Sequence, residues 1–157
     1  MPAAHQENAV ARVIVQTVHK GAVEVEESAI IRFVSPLLGF NHLERFIVYQ
    51  THEGPLYWLQ AVDDPQACFC LLAPFEAGLD PDIEIGAEDA AALEAREAGD
   101  IVVYTMVVLD EDPDQIRTNL RAPILVGRQS SLAKQIVVGT GKLPVQFYLN
   151  RLGQKGG

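Results

Sequence analysis

Leu56-Tyr57-Trp58-Leu59-Gln60-Ala61-Val62-Asp63-Asp64-Pro65-Gln66-Ala67-Cys68-Phe69-Cys70-Leu71-Leu72-Ala73-Pro74 holds two runs rich in aromatic and aliphatic residues. They span residues 56–62 and 66–73, with an Asp-Asp-Pro turn between them and a second proline closing the pair. Short runs of this composition, bounded by turn residues, read as strands. Upstream, residues 46–50 form a similar run, and Thr51-His52-Glu53-Gly54-Pro55 joins it to residue 56 as a hairpin-like loop.

The same rhythm extends outward. Residues 12–18 lead through a Lys20-Gly21 turn into residues 22–26, where Val23 and Val25 alternate with Glu24 and Glu26. A period of two puts valines inward and glutamates outward on a half-buried strand. Residues 30–34 continue the sheet and residues 36–40 turn the chain. Residues 101–109 are a continuous β-branched run, suited to a strand buried on both faces. Residues 124–126 and 135–138 complete the strands. One segment differs: residues 88–98 are rich in Ala, Glu and Leu, carry acids at the start, and meet Gly99 just beyond. Those are the propensity, dipole and capping signals of one short helix. Residues 1–11 read as a loose tail and 151–157 as a frayed end, which leaves residues 12–150 as one mainly β domain, a sandwich or barrel.

A chain of 157 residues buries about 70% of its unfolded surface, enough for a proper core. No apolar run approaches the ~18–20 residues of a membrane helix, and Met1-Pro2-Ala3-Ala4-His5 lacks the basic start and apolar core of a signal peptide. The expectation is a cytoplasmic protein that does not engage a membrane. Cys68 and Cys70 lie two apart, on one face of a strand, where a disulfide would be strained. His5, His19, His42 and His52 show no zinc spacing. The thiols read as small buried hydrophobes, and no metal or cofactor is expected.

The formal net charge is −9, and it is unevenly placed. From Glu76 to Asp114 there are thirteen carboxylates and one base, Arg96. Such a field repels nucleic acid and favours a basic partner; a solvated, solubilising surface is the plainer alternative.

Most catalytic motifs fail on inspection. Asp63-Asp64-Pro65 is turn chemistry of the Asx type before it is an acid–base pair. Asp110-Glu111-Asp112-Pro113-Asp114 imitates the opening of a calcium loop, but Gln115 and Arg121 stand where glycine and glutamate are needed. Gly139-Thr140-Gly141-Lys142 lacks the earlier glycine and the following Ser or Thr of a phosphate loop. Ser130 and Ser131 have no neighbouring His. The chain reads as a non-enzyme.

Two polar insertions stand out. Trp58 and Gln60 share a strand face with Leu56 and Val62, so Gln60 enters an apolar side. A buried amide must be hydrogen-bonded, which makes it a loop anchor or a partner-facing group. Trp58 is either core or the anchor of a binding surface. In Thr118-Asn119-Leu120-Arg121-Ala122-Pro123-Ile124, Pro123 marks a strand start. Asn119 suits loop backbone groups, and Arg121 suits either the Asp63-Asp64 turn or a partner carboxylate.

These two segments, in this order and spacing, resemble the signature segments of the flagellar assembly factor FliW family. The likeness runs from about Val13 to Leu149. It includes Thr17, Gly21-Ala22-Val23-Glu24-Val25-Glu26-Glu27, Phe33, Leu37-Leu38-Gly39-Phe40, Arg45-Phe46, Phe69, Pro74 and Ala133-Lys134-Gln135-Ile136-Val137. Departures are Val34-Ser35-Pro36 in place of a Pro-Glu-Gly type turn, Arg121 where lysine is common, and Gly127-Arg128 in place of Asn. Arg keeps the charge and changes its geometry.

The resemblance implies a small, single-domain, β-barrel-like fold of short antiparallel strands with one short helix. It implies a non-enzymatic protein that binds the RNA-binding regulator CsrA non-competitively, relieves repression of flagellin translation, and also binds flagellin. A chaperone of flagellin without a regulatory role, and a small-ligand-binding barrel, are the alternatives. For an acidic field that captures the basic regulator and repels RNA, the candidate residues are Asp80, Asp82, Glu84, Asp110, Glu111, Asp112 and Asp114. For packed contact they are Phe33, Trp58, Gln60, Asp63, Asp64, Asn119 and Arg121.

Overall fold

The computed structural model describes residues 11–81, 83–138 and 143–154. Among the described residues eleven strands follow one another: β1 (Arg12–Thr17), β2 (Gly21–Glu26), β3 (Ile31–Phe33), β4 (Arg45–Tyr49), β5 (Leu56–Ala61), β6 (Cys68–Leu72), β7 (Ile101–Val108), β8 (Arg117–Thr118), β9 (Ile124–Gly127), β10 (Leu132–Gln135) and β11 (Phe147–Tyr148). One α-helix, α1 (Ala87–Ala92), lies between β6 and β7.

Seven strands close into a barrel. Pairing runs β3, β4, β5, β6, β7, β9, β10 and back to β3. Every pairing is antiparallel except the last, where β10 lies parallel to β3 with Leu132 opposite Arg32. One parallel pairing thus closes a ring of otherwise antiparallel strands. Alternation sends Phe46, Leu59, Ala61, Leu71, Ile124 and Val126 to one buried cluster with Phe33. Phe33 meets Phe46 edge-on at 5.2 Å, and Phe40 meets Phe69 at 4.8 Å. Edge-to-face rings add to the area they bury. These side chains pack the interior of the barrel.

Three flaps cover the outside. Ile83, Ile85, Leu93 and Ala95 pack with Ile101, Val103 and Leu125. Ala77, Leu79 and Leu149 pack with Cys70, Leu72 and Val107. The β1–β2 hairpin, a separate two-stranded sheet, is the third, and Val15 and Thr17 are its buried side chains. β7 is therefore not buried evenly on both faces. Ile101, Val103, Thr105 and Val107 are buried, while Val102, Tyr104 and Met106 are half-buried.

The helix is shorter than the composition of residues 88–98 predicts. It ends at Ala92, and Glu94 takes a left-handed φ of 56°. The Ala95 amide donates to the Ala90 carbonyl at 2.9 Å and the Glu94 amide to the Ala91 carbonyl at 3.0 Å. That is a Schellman end with Glu in the usual glycine position. Burial of Leu93 against Ile101 and Val103 of β7 and Leu125 of β9 sets where the chain must turn. Gly99 instead lies in a 3-10 turn, Ala98–Asp100.

β10 also begins earlier than expected, because Ser131 adopts a φ of 59° and the Ser130 hydroxyl receives the Leu132 amide at 3.2 Å. Gly127 has a packing reason: a Cβ there would lie 2.8 Å from the Leu93 carbonyl. Residues 149–154, expected in part to fray, form a 3-10 helix, Leu149–Gln154. Residues 1–10, most of the expected tail, and the glycine-rich turn at 139–142 lie outside the described residues.

Candidate functional site

Two β5 side chains on the barrel's outer face, Trp58 and Gln60, lie opposite Tyr49 and Ile47 of β4. The tip of the β1–β2 hairpin sits over them. Gln60 is fully buried. Its Oε1 accepts the Val18 amide at 2.9 Å. Its Nε2 faces the carbonyls of Ala61 at 3.1 Å, Asp64 at 3.3 Å, Pro65 at 3.1 Å and Ala67 at 3.3 Å. One amide therefore ties the hairpin to the Asp63-Asp64-Pro65 turn. This makes Gln60 an internal anchor, not a partner-facing group. Phe33, only 4% exposed inside the barrel, is likewise no contact residue; its aromatic ring fills the core.

Asp63 and Asp64 divide the work of their turn. Arg45 donates to Asp63 through Nε at 3.2 Å and Nη2 at 2.6 Å. This bidentate pairing holds the Asp63 carboxyl below its ordinary range and raises the Arg45 guanidinium. Asp64 closes an Asx turn by accepting the Gln66 amide at 3.1 Å. Arg45, not Arg121, is the cation of the acidic turn. Position alone hid it, since Arg45 opens β4 and reaches Asp63 only once β4 and β5 are paired.

Residues 119–123 bridge β8 and β9, which both pair with the edge of β7 opposite β6. Thr118 Oγ1 donates to the Met106 carbonyl at 2.6 Å and lies 2.7 Å from Thr105 Oγ1, whose hydroxyl it can accept. The Asn119 side chain accepts the Arg121 amide at 2.9 Å. The Arg121 Nε is buried with no hydrogen-bond partner among the described residues.

Trp58 is half-buried. Its ring stacks on His19 with centroids 3.8 Å apart, and its Nε1 donates to Thr51 Oγ1 at 3.2 Å. Beside it opens an apolar cleft of about 190 Å³, walled by Pro55, Leu56, Trp58 and Leu109 over Cys70. Burial pushes the Cys70 thiol up to about 11, so the floor is uncharged at neutral pH. Past Leu109 runs the exposed acidic loop. Asp110 accepts the Asp112 amide at 2.9 Å, and Asp112 accepts the Asp114 amide at 2.9 Å.

Asp80, Glu84, Asp110, Glu111, Asp112 and Asp114 are all exposed. Among the described residues none of them is in an ion pair; the paired acids are Glu24, Glu44, Asp63 and Asp89. Asp82 lies outside the described residues. The fold thus joins Trp58 to the start of the acidic loop, whereas Asn119 and Arg121 do not line that cleft.

Sequence reasoning missed His19, whose role depends on the hairpin folding over β5. It also missed Tyr57, whose hydroxyl donates to the Glu76 carboxylate at 2.8 Å. Burial, then that carboxylate, pushes the Tyr57 phenol up to about 12. No three His, Cys, Asp or Glu side chains among the described residues converge as a metal site.

A sequence model of the FliW protein family matches residues 14–149. The chain belongs to the FliW family. Among FliW relatives, the flagellar assembly factor of Caldicellulosiruptor saccharolyticus is 33% identical over 129 residues, covering 82% of this chain and 85% of its own. That of Clostridium botulinum is 33% identical over 138 residues, covering 87% and 97%. A crystal structure of the flagellar assembly factor FliW superposes with a TM-score of 0.80 at 26% identity, covering 87% of this chain and 96% of that one. The FliW barrel with one small helix is therefore the fold of this chain, as the resemblance implied. No described helix is long and apolar enough to cross a membrane.

Proposed function

We propose that this chain is a non-enzymatic flagellar assembly factor of the cytoplasm that binds CsrA, relieves its repression of flagellin translation, and also binds flagellin. Membership of the FliW family over residues 14–149 carries this reading. The packed barrel supports it, because Phe33, Phe46, Leu59 and Leu71 occupy the interior and leave the exterior as the surface a partner meets. The choice of a basic partner rests on the unpaired carboxylates at Asp80, Glu84 and Asp110 to Asp114. Capture of an RNA-binding protein is accelerated by opposite charge. Once docked, the same carboxylates repel RNA phosphates from the neighbouring site, which is how inhibition stays non-competitive.

The test is calorimetric titration against the host's CsrA, with a labelled flagellin leader RNA followed in parallel by gel shift. Binding with loss of the RNA complex is the expected result; no binding overturns the antagonist role.

A second reading, a flagellin chaperone without a regulatory role, draws on the apolar cleft beside Trp58. Apolar binding survives high salt, whereas steered binding slows. Retention of flagellin, but not CsrA, at high salt favours the chaperone.

A further inference from the structure

The apolar cleft beside Trp58 has a size, a preset wall and a charged rim that together define an occupant. We propose that it seats one large apolar side chain from a protein segment whose flanking residues are Lys or Arg. The inference deepens the proposed function and rests on its reading of this chain as the binder of a basic protein.

At about 190 Å³ the cleft falls below the ~300–1,000 Å³ of small-molecule sites, so it suits a single anchor side chain. Leu56 and Leu109 are 43% and 54% exposed, and covering them removes apolar surface from water. The Trp58 wall is set in advance by the His19 stack and the Thr51 hydrogen bond, so little ordering is required on binding. A buried aromatic wall with an apolar anchor is the usual centre of an interface.

Charge fixes the flanks. Glu53 lines the cleft beside His52, and Asp110, Glu111 and Asp112 follow directly in the chain from Leu109, which also lines it. None of these four is in an ion pair among the described residues. The hydrogen bonds of Asp110 and Asp112 engage a single carboxylate oxygen each, leaving the other to a cation. An acidic flank would be repelled, and an uncharged one would leave the rim unused.

Trp58 is the only tryptophan in the chain, so its fluorescence reports on the cleft directly. Wild type, Leu109→Glu and Leu56→Glu would be titrated with CsrA, with Ile14→Glu as a control at a 65% exposed position on β1. Thermal melts would establish that each variant is folded. The expected result is a Trp58 emission shift on binding, with affinity reduced at least ~10-fold in both cleft variants and unchanged in the control.

Wild-type binding with no Trp58 shift and no loss in either cleft variant overturns the cleft and leaves the CsrA reading standing. Should wild type fail to bind CsrA, that reading falls separately. The cleft is then decided by a Leu-centred synthetic peptide with Lys flanks and its Glu-flanked counterpart. A Trp58 shift with the Lys peptide alone sustains the proposal. No response to either, or equal response to both, overturns it.

Discussion

Gln60 places an amide where alternation calls for an apolar residue, and the reason lies in what it joins. Its carbonyl holds the Val18 amide, and its nitrogen sits among four backbone carbonyls of the turn after β5. Gln60→Leu keeps roughly the volume but removes the acceptor of the Val18 amide and the donor shared among those carbonyls, of which Asp64 and Ala67 keep backbone amide partners. The expected cost is about 1–3 kcal/mol, or a melting temperature lower by several degrees at about 2–4 °C per kcal/mol for a chain of this size. Calorimetric melting checks it. Asp63 acts at lower stakes, because its side chain is 57% exposed. Arg45 lowers its carboxyl below the unfolded value. The stabilisation is therefore present above the unfolded value and disappears as pH falls through the folded one. Asp63→Asn should cost about 0.2–1 kcal/mol at neutral pH, and the difference from wild type should vanish in strong acid, read by urea titration at several pH values.

At the scale of elements, the end of α1 tests how far local propensity governs. Glu94 adopts a left-handed conformation that favours glycine. Glu94→Gly should stabilise the domain by about 0.5–1 kcal/mol, provided the Schellman bonds persist; a chemical melt with no gain would show that Glu94 is held by something beyond its backbone. The same helix shows what was legible beforehand. Composition over residues 88–98 announced a helix, but not that Leu93 must turn onto the outer face of β7 and β9. A strand such as β2 was readable because valines and glutamates alternate. β8 and β11, two residues each, carry no periodicity at all; their pairing with neighbours defines them. In the candidate site, Trp58 and Gln60 were conspicuous as types. Their division into cleft wall and internal tie depended on the hairpin folding over β5, which no local pattern encodes. Arg45 and His19 were silent for the same reason.

At the scale of the whole molecule, the distribution of charge is the property a partner meets first. Replacing Asp110, Glu111, Asp112 and Asp114 by lysine shifts the formal charge of that loop from −4 to +4. Long-range attraction of a basic protein then becomes repulsion. Association with CsrA should slow by about 10-fold or more at low salt, and the steep fall of the wild-type rate with ionic strength should flatten. Stopped-flow mixing across a salt series measures both; a rate insensitive to the exchange would show that the field steers nothing. The closure of the barrel has a consequence in time. Arg32 in β3 and its parallel neighbour Leu132 in β10 are separated by a hundred residues of chain. At about 5–20 residues per second of synthesis, β3 waits roughly 5–20 s for the strand that covers its edge. Through that interval the growing chain carries a bare edge open to unwanted pairing, and the exposed charge of Arg32 is the guard that such edges employ.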